Sequence, residues 1–289
     1  MKLLVGCGKM GGAILEGWLQ DDMTDIVVLT KDEEQSAKIR RMYQVETIFN
    51  LDQLQVEPQT VLVAVKPYHL EKVLPTLSKF KDAVFISVVV GTSIEYFQSF
   101  LGTKCTVVRT MPNIPCLIKQ GVIGIYSNKK MDDIDKLLST VGKTFWLENE
   151  EQIDMVAALP GGMPAFFVKI LQMYAKSISE LTSCEEGVVM NKIVQFLNKQ
   201  KKMLVVEQIL NGWVSDAVIL GLKNEMAHEM MIRTVVGTIE LLQSMSGDDI
   251  IQAVASKKGT TEAGLKAIDY GLSPVVAAYR RALEINAVR

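Results

Sequence analysis

Residues 256–265 of this 289-residue chain read "SKKGTTEAGL" and gather hydroxyl and ammonium groups at a break in a helical pattern. The glycine should end one helix, and a threonine after it can cap the next. A turn needs fewer donors than this stretch carries, whereas a helix N-terminus flanked by such groups binds small anions. We therefore predict an anion site, with an ordinary cap and turn as the alternative. Its residues are Ser256, Lys257, Lys258, Gly259, Thr260 and Thr261.

A second stretch with chemical potential lies at the N-terminus, "KLLVGCGKMGGAILEGW". Gly6, Gly8 and Gly11 follow an apolar run that reads as a strand, and they open a helical pattern that includes Lys9 and Met10. In that context the first glycine permits a tight turn, the second admits a pyrophosphate, and the third lets helix and strand pack closely. This spacing predicts a dinucleotide-binding loop, with a glycine-rich turn without a ligand as the alternative.

The end of the second apolar run, "VVLTKDEE", bears on which dinucleotide binds. An NAD site usually places an acid there to hold the ribose 2′-hydroxyl. This chain instead has Thr30 and Lys31, which suit a 2′-phosphate, although Asp32 follows directly. We expect NADPH to be preferred, with NADH left open and a solvated surface charge as the alternative role of Lys31.

The elements that must position these residues follow from hydrophobic periodicity. Seven short apolar runs in the first half read as strands, and amphipathic helical patterns fill the gaps. After residue 150 helical spacing dominates. We predict an α/β Rossmann-like domain with a mostly parallel sheet over residues 1–150, followed by an all-α domain over 151–289. The predicted strands are 2–6, 25–30, 60–65, 83–89, 105–109, 121–127 and 143–148.

Composition excludes several classes of function. The formal net charge is −2, which argues against a nucleic-acid partner. The longest apolar run, residues 83–91, is too short to span a membrane, and no targeting segment is recognised, so a cytoplasmic protein is expected. Four scattered cysteines are expected to be reduced and buried, and the two histidines, His69 and His228, form no metal-ligand cluster and are expected to be structural or solvent-facing.

Three further stretches, "VAVKPYHLEKVL", "VVRTMPNIPCLIKQG" and the opening "SKKGTTEAGL", complete a resemblance to delta-1-pyrroline-5-carboxylate reductase over nearly the whole chain. The resemblance implies reduction of a cyclic imine to proline, the last step of proline biosynthesis. It also implies an active site between the cofactor domain and a helical domain that intertwines with a second subunit, hence a homodimer or higher oligomer. Thr261 matches the family's threonine that hydrogen-bonds the ring nitrogen. The implied cofactor contacts are Gly8, Lys9, Met10, Gly11, Thr30, Lys31, Asn50, Ala64, Val65, Lys66, Pro67, Met111, Pro112 and Asn113.

The chain departs from the family pattern in three places. Pro160 and Met163 stand where small residues are usual, and Lys257-Lys258 stand where Pro-Gly is usual. Residues 176–212 look like an insertion that forms one or two amphipathic helices, which enlarge the core or a subunit interface.

Hydride transfer to a protonated imine needs orientation and charge stabilisation rather than a strong protein acid. Catalysis by Lys66 is a minor alternative, since a lysine before proline can simply orient the loop. Two other functions stay open: a β-hydroxyacid dehydrogenase that uses Lys169, and an NADP-binding protein without turnover.

Overall fold

The computed structural model describes residues 1–128, 131–200 and 204–287. The chain divides into two compact units. The first comprises Met1–Pro112 and Ile123–Ile153, and the second comprises Asn113–Val122 and the helical residues from Asp154 onward. The segment 113–122 therefore belongs to the helical unit although it lies between two strands of the first.

The first unit is built on an eight-stranded sheet that includes all seven predicted strands. The strands are β1 (Lys2–Val5), β2 (Ile26–Leu29), β3 (Glu46–Ile48), β4 (Thr60–Val63), β5 (Val84–Ser87), β6 (Thr106–Pro112), β7 (Gly121–Tyr126) and β8 (Gly142–Trp146). The sequence analysis missed β3, because three residues are too few to show a period.

The strand order is β3-β2-β1-β4-β5-β6-β7-β8. Strands β1 to β6 pair in parallel, while β7 runs antiparallel to β6, which confirms the mostly parallel sheet. The strand order changes direction at β1: β2 and β3 lie on one side of it, and β4 and the later strands lie on the other. In open α/β sheets, ligands bind outside the carboxyl ends of the strands at such a switch point.

Both faces of this sheet are covered. Leu3 and Leu4 point to opposite faces because side chains alternate along a strand, yet both are fully buried, as are Val61 and Leu62 on β4. This explains why the strands read as continuous apolar runs rather than as alternating ones. Five helices belong to this unit: α1 (Lys9–Gln20), α2 (Glu33–Tyr43), α3 (Leu70–Leu77), α4 (Ile94–Leu101) and α5 (Asp132–Ser139).

The second unit is helical, as predicted. Its elements are α6 (Gln152–Val156), a π-helical turn (Ala157–Gly161), α7 (Met163–Thr182), α8 (Glu186–Gln200), α9 (Leu204–Ile219), α10 (Asn224–Leu241), α11 (Gly247–Val254), α12 (Thr260–Asp269) and α13 (Pro274–Ala287). The stretch Gln152–Thr182 is long and apolar enough to cross a membrane, but 83% of its apolar window is buried within the protein. That burial is typical of a core helix.

The predicted insertion, residues 176–212, is helical apart from the connection at 183–185; residues 201–203 lie outside the described part. It contributes the end of α7, all of α8 and the first half of α9. On α8, Val189 is buried, whereas Phe196 is 57% exposed. The apolar face of α8 is thus only partly covered within the chain.

The four cysteines are free, as expected. Burial raises the pKa of the Cys7 and Cys105 thiols to about 11 and that of Cys116 to about 12. These three thiols are therefore protonated at neutral pH. Burial was expected for all four: Cys105 and Cys116 are buried, Cys7 is only half-buried, and Cys184 is exposed because it follows the end of α7 in the connection to α8.

Candidate functional site

The glycine loop after β1 has the close packing that its spacing predicts. Gly6 has a φ of +88°, a conformation that favours glycine, and its N–H donates to Leu29 O at 3.0 Å. A Cβ on Gly11 would overlap the carbonyl oxygen of Gly6 and lie 3.1 Å from the Cβ of Ala64. Helix α1 can therefore approach β1 and β4 only because residue 11 has no side chain.

The same loop offers unused backbone donors. Among the described residues, no hydrogen bond engages the amides of Gly8, Lys9, Met10 or Gly11 at the start of α1, and the first turn holds no acidic residue. A Cβ on Gly8 would meet nothing within 4 Å, so the space in front of these amides is open. Lys9 is exposed there. An open cradle of N–H donors at a helix N-terminus fits a pyrophosphate.

The loop after β4 packs against the glycine loop. A Cβ on Gly6 would lie 2.9 Å from the side chain of Val65 and 3.1 Å from Ala64 O. Lys66 is exposed, and among the described residues it has no ion pair. Pro67 starts a short 3₁₀ turn, Pro67–His69, which fixes the loop directly after Lys66. A contact of Ala64 to Pro67 with a cofactor stays a prediction.

The structure corrects the role predicted for the Thr30 side chain. Thr30 is buried, and its hydroxyl faces two carbonyl oxygens, Asp32 O at 3.0 Å and Ile48 O at 3.2 Å. The one hydroxyl hydrogen is therefore used inside the protein, where it ties the end of β2 to the end of β3. It is not free to donate to a 2′-phosphate.

Lys31 remains the candidate for a 2′-phosphate contact. Its ammonium lies 3.2 Å from Asp32 Oδ2, and its side chain is 78% exposed. The other oxygen of Asp32 caps α2 by accepting from Gln35 N at 2.8 Å, and this bond lowers the pKa of the carboxyl. Asp32 is thus occupied as a cap rather than directed at a ribose, so the acid beside Lys31 does not by itself indicate NAD.

Asn50 lies after β3, beside the loop that carries Lys31, because Leu29 and Ile48 are paired at the ends of their strands. It is exposed and caps a short 3₁₀ turn, with Oδ1 accepting from Asp52 N at 3.1 Å. This position suits the adenosine end of a dinucleotide, and a direct contact remains a prediction.

The Met111-Pro112-Asn113 segment differs from the predicted cofactor turn. Met111 and Pro112 are the last residues of β6 and pair with Gly124 and Ile123 of β7, and all three residues of the segment are buried. The side chain of Asn113 uses its amide and its carbonyl for hydrogen bonds within the helical unit. The side chain of Asn113 is therefore not free to contact a cofactor, and a backbone contact of this segment stays a prediction.

In the helical unit, the break between α11 and α12 forms the predicted helix start. Gly259 is the N-cap of α12, and among the described residues no hydrogen bond engages the amides of Thr260, Thr261 or Glu262. Gly259 was predicted to belong to the anion site, but its N–H is not free, because it donates to Ser256 O at 2.9 Å. The set of unpaired donors is therefore shifted by one residue along the helix.

No threonine caps α12. The N-cap makes no side-chain hydrogen bond, and within the described part of the chain the hydroxyl of Thr261 has no partner, although the residue is only 5% exposed. The residue is buried, but its hydroxyl oxygen is itself accessible to solvent. This hydroxyl is available to a ligand.

Lys257 and Lys258, which stand where the family usually has Pro-Gly, are both exposed. The structure shows how the turn forms without the glycine. Lys258 has a φ of +59°, a left-handed conformation that glycine adopts at no steric cost. Its N–H donates to the Glu262 carboxylate, and its carbonyl accepts from Arg281 Nε at 2.9 Å. These two contacts hold the turn in place without glycine.

Glu262 and Arg281 are the functional neighbours that the sequence analysis missed. The bond from Lys258 N and the 3.2 Å contact with Lys266 Nζ lower the pKa of Glu262, so its charge is present and partly neutralised. An acid in the first turn of the helix, in "GTTE", was a visible sign of this role. Arg281 is far away in the sequence and gave no sign.

The residues considered for other chemistry do not form a second site. Lys169, the acid–base candidate of a hydroxyacid dehydrogenase, lies 3.3 Å from Asp269 Oδ1. His69 and His228 are exposed, as expected.

Comparisons with known proteins agree with both halves of this description. The family described as "NADP oxidoreductase coenzyme F420-dependent" matches residues 3–91, and "Pyrroline-5-carboxylate reductase dimerisation" matches residues 204–286. A pyrroline-5-carboxylate reductase of Haemophilus influenzae is 30% identical over 191 residues, which cover 63% of this chain and 70% of that protein.

Two solved structures share the fold. A pyrroline-5-carboxylate reductase from Coxiella burnetii has a TM-score of 0.60 and 23% identity, over 98% of this chain and 97% of that one. The pyrroline carboxylate reductase of Plasmodium falciparum, solved with NADP bound, has a TM-score of 0.55 and 17% identity, over 99% and 97% of the two chains.

Proposed function

Because the chain belongs to the pyrroline-5-carboxylate reductase family, we propose that it reduces 1-pyrroline-5-carboxylate to L-proline with NAD(P)H. The observation that carries the proposal is the start of α12, where three amides and the solvent-accessible hydroxyl of Thr261 have no partner within the described residues. A five-membered imino acid needs a carboxylate site and a hydrogen-bond partner for its ring nitrogen. This helix start offers both within three residues, Thr260 to Glu262.

The cofactor part of the proposal rests on the first unit. The unpaired amides of Gly8 to Gly11 and the open space before Gly8 fit a pyrophosphate. Lys31 is the residue we assign to the 2′-phosphate, and the structural relative from Plasmodium falciparum holds NADP. We propose NADPH as the preferred cofactor.

When bound, the reduced nicotinamide supplies a hydride to the C=N carbon of the protonated imine, and the electron pair of that double bond passes to nitrogen. The amides of Thr260, Thr261 and Glu262 hold the substrate carboxylate, helped by the helix dipole. The Thr261 hydroxyl accepts from the ring N–H and so keeps the imine carbon in one orientation. The imine nitrogen enters protonated, so these residues orient the substrate and need not donate a proton.

Turnover assays separate this proposal from the two other readings. Purified protein should oxidise NADPH with pyrroline-5-carboxylate and should be inactive with a panel of 3-hydroxyacids and NADP. Activity on hydroxyacids alone would identify a hydroxyacid dehydrogenase, although the ion pair of Lys169 with Asp269 disfavours it. Cofactor binding without any turnover would identify a non-catalytic homologue.

We also propose that the protein is a homodimer or a larger homo-oligomer joined through α9 to α13. The matched dimerisation region carries large apolar side chains that a monomer would leave in water, among them Ile219 (81% exposed), Leu272 (64%) and Leu283 (46%). Exposed apolar surface of this kind marks interfaces. The cytoplasmic location expected from the sequence belongs to the same proposal.

Light scattering at micromolar concentration tests the assembly. The wild-type chain should have at least twice the 32.1 kDa mass of one chain, and Leu272→Asp with Leu283→Asp should shift it toward the monomer. Val56→Asp changes an apolar residue of the first unit that is also 64% exposed, so it is the matched control. A monomeric wild type would contradict the proposal.

A further inference from the structure

The side chain of Asn113 is buried and bonded in a way that a cofactor contact does not explain. It is 3% exposed. Its Nδ2 donates to Pro160 O and to Thr234 Oγ1, both at 3.1 Å, and its Oδ1 accepts from Val122 N at 2.8 Å. Both amide hydrogens are therefore used. All four residues belong to the helical unit.

The bond to Pro160 replaces a helical hydrogen bond that Pro164 cannot make. In a continuous helix the carbonyl of residue 160 would accept from the amide of residue 164, but Pro164 has no N–H. The next amide, that of Ala165, donates to Gly162 O at 3.1 Å instead. Pro160 O is buried in the π-helical turn and would cost free energy if left unpaired. Among the described residues, Asn113 is the donor that it has.

The bond to Thr234 attaches the same amide to α10. The hydroxyl hydrogen of Thr234 goes to Met230 O at 2.8 Å, so its oxygen can only accept from Asn113. One turn along α10, a Cβ on Gly237 would lie 2.8 Å from Pro115 Cβ and 2.9 Å from Gln120 O. The segment 113–122 thus lies directly against a face of α10 made of small residues. Asn113 joins that face to the π-helical turn.

The start of α7 in turn supports α12. Phe166 is fully buried, and a Cβ on Gly264 would lie 2.6 Å from Phe166 Cε1. Gly264 is three residues after Thr261, so the two lie on the same face of α12. A shift of the π-helical turn would move Phe166 and, with it, the helix that carries Thr261.

We propose that Asn113 is a positioning residue for the substrate end of this enzyme rather than a cofactor ligand. Its amide donates to the carbonyl that Pro164 leaves without a donor, and it fixes the π-helical turn against α10. Through the contact of Phe166 with α12, it also fixes the position of the α12 N-terminus. The proposal rests on the function proposed above for α12. It removes Asn113 from the set of residues that hold NADPH.

Asn113→Asp tests this with little change of shape, because it keeps the acceptor for Val122 N–H and removes both donors. Hydrogen exchange should become at least tenfold faster for amides of residues 157–166 and 260–264, while α8 amides serve as the internal reference. The KM for the imine should rise at least tenfold, and the Kd for NADPH, from fluorescence quenching, should stay within twofold.

Thr234→Val should change exchange and KM in the same direction but less. Asn191→Asp on the exposed face of α8 is the matched control, expected to change nothing.

A tenfold rise in the NADPH Kd with unchanged exchange would overturn the proposal in favour of a cofactor contact. Unchanged exchange and KM in both Asn113→Asp and Thr234→Val would also overturn it. If Asn113→Asp does not fold, Thr234→Val decides by the same two measurements. Exchange and cofactor binding do not require turnover. A wild type that fails to reduce the imine would therefore refute the proposed function while the exchange data still judge Asn113.

Discussion

The carbonyl oxygen of Gly6 occupies the position into which a Cβ on Gly11 would project. Gly11→Ala must therefore push α1 away from β1, and we expect both a loss of NADPH binding and a fall in thermal stability. Fluorescence titration and a melting curve measure the two effects. A variant that binds NADPH normally would contradict the close packing.

Gly8→Ala separates binding from folding in the same loop. Gly8 has a φ of −85° and open space around its missing Cβ, so alanine is accommodated without strain in the free protein. Stability should be unchanged or raised by about 0.4–1 kcal/mol, since alanine lowers the entropy of the unfolded chain. The Kd for NADPH should rise at least tenfold, because the new methyl group occupies the space assigned to the pyrophosphate. Unchanged affinity would show that no phosphate binds there.

Lys31→Glu should lower the ratio of kcat/KM for NADPH to that for NADH at least tenfold. The ammonium of Lys31 is exposed, and reversing its charge places a carboxylate where the 2′-phosphate is expected. A charge-assisted hydrogen bond of this kind contributes about 1.5–3 kcal/mol. Lys104→Glu makes the same charge change before β6, at the amino ends of the parallel strands rather than the carboxyl ends, and should leave the ratio alone. If the two variants behave alike, Lys31 is only a surface charge.

Lys258→Gly should fold as well as the wild type or better. The left-handed backbone of Lys258 costs a residue with a Cβ about 1–2 kcal/mol, of which glycine's greater unfolded-state entropy offsets roughly 0.5–1 kcal/mol. Lys258→Pro should be clearly destabilised, because proline cannot adopt this φ and has no N–H for Glu262. The melting temperatures of the two variants test this. Equal values would mean that the left-handed φ of Lys258 and its hydrogen bond to Glu262 do not stabilise the turn.

Thr261→Val should lower kcat/KM for the imine at least tenfold, which corresponds to about 1.4 kcal/mol of transition-state stabilisation. The valine keeps the shape of the buried side chain and removes the hydroxyl that has no partner among the described residues. Cofactor affinity should not change. Thr261→Ser retains the hydroxyl and should keep most of the activity. A Thr261→Val variant with wild-type kinetics would remove Thr261 from the site.

The sequence was sufficient for the features that repeat along the chain or lie within a few residues of one another. The glycine spacing predicted the loop at Gly6 to Gly11, and apolar runs predicted seven of eight strands. Thr261 was placed correctly at a helix start because a glycine preceded it.

Long-range pairing was not predictable in this way. The partners of Asn113 are 47 and 121 residues away, so no local pattern showed that its amide was already used. The predicted contact of the Thr30 hydroxyl with a 2′-phosphate was wrong for a related reason, since this hydroxyl donates to a strand that was too short to recognise. Arg281, which holds the Lys258 turn, is 23 residues distant and gave no signal either.

The most direct test of the proposed reaction follows the hydrogen itself. Purified protein is incubated with pyrroline-5-carboxylate and NADPH deuterated at both C4 positions, and the product is analysed by mass spectrometry and chiral chromatography. The account predicts L-proline that carries one deuterium, on C5, with one NADPH oxidised for each proline formed. Protein that is folded and binds NADPH but yields no labelled proline would contradict it.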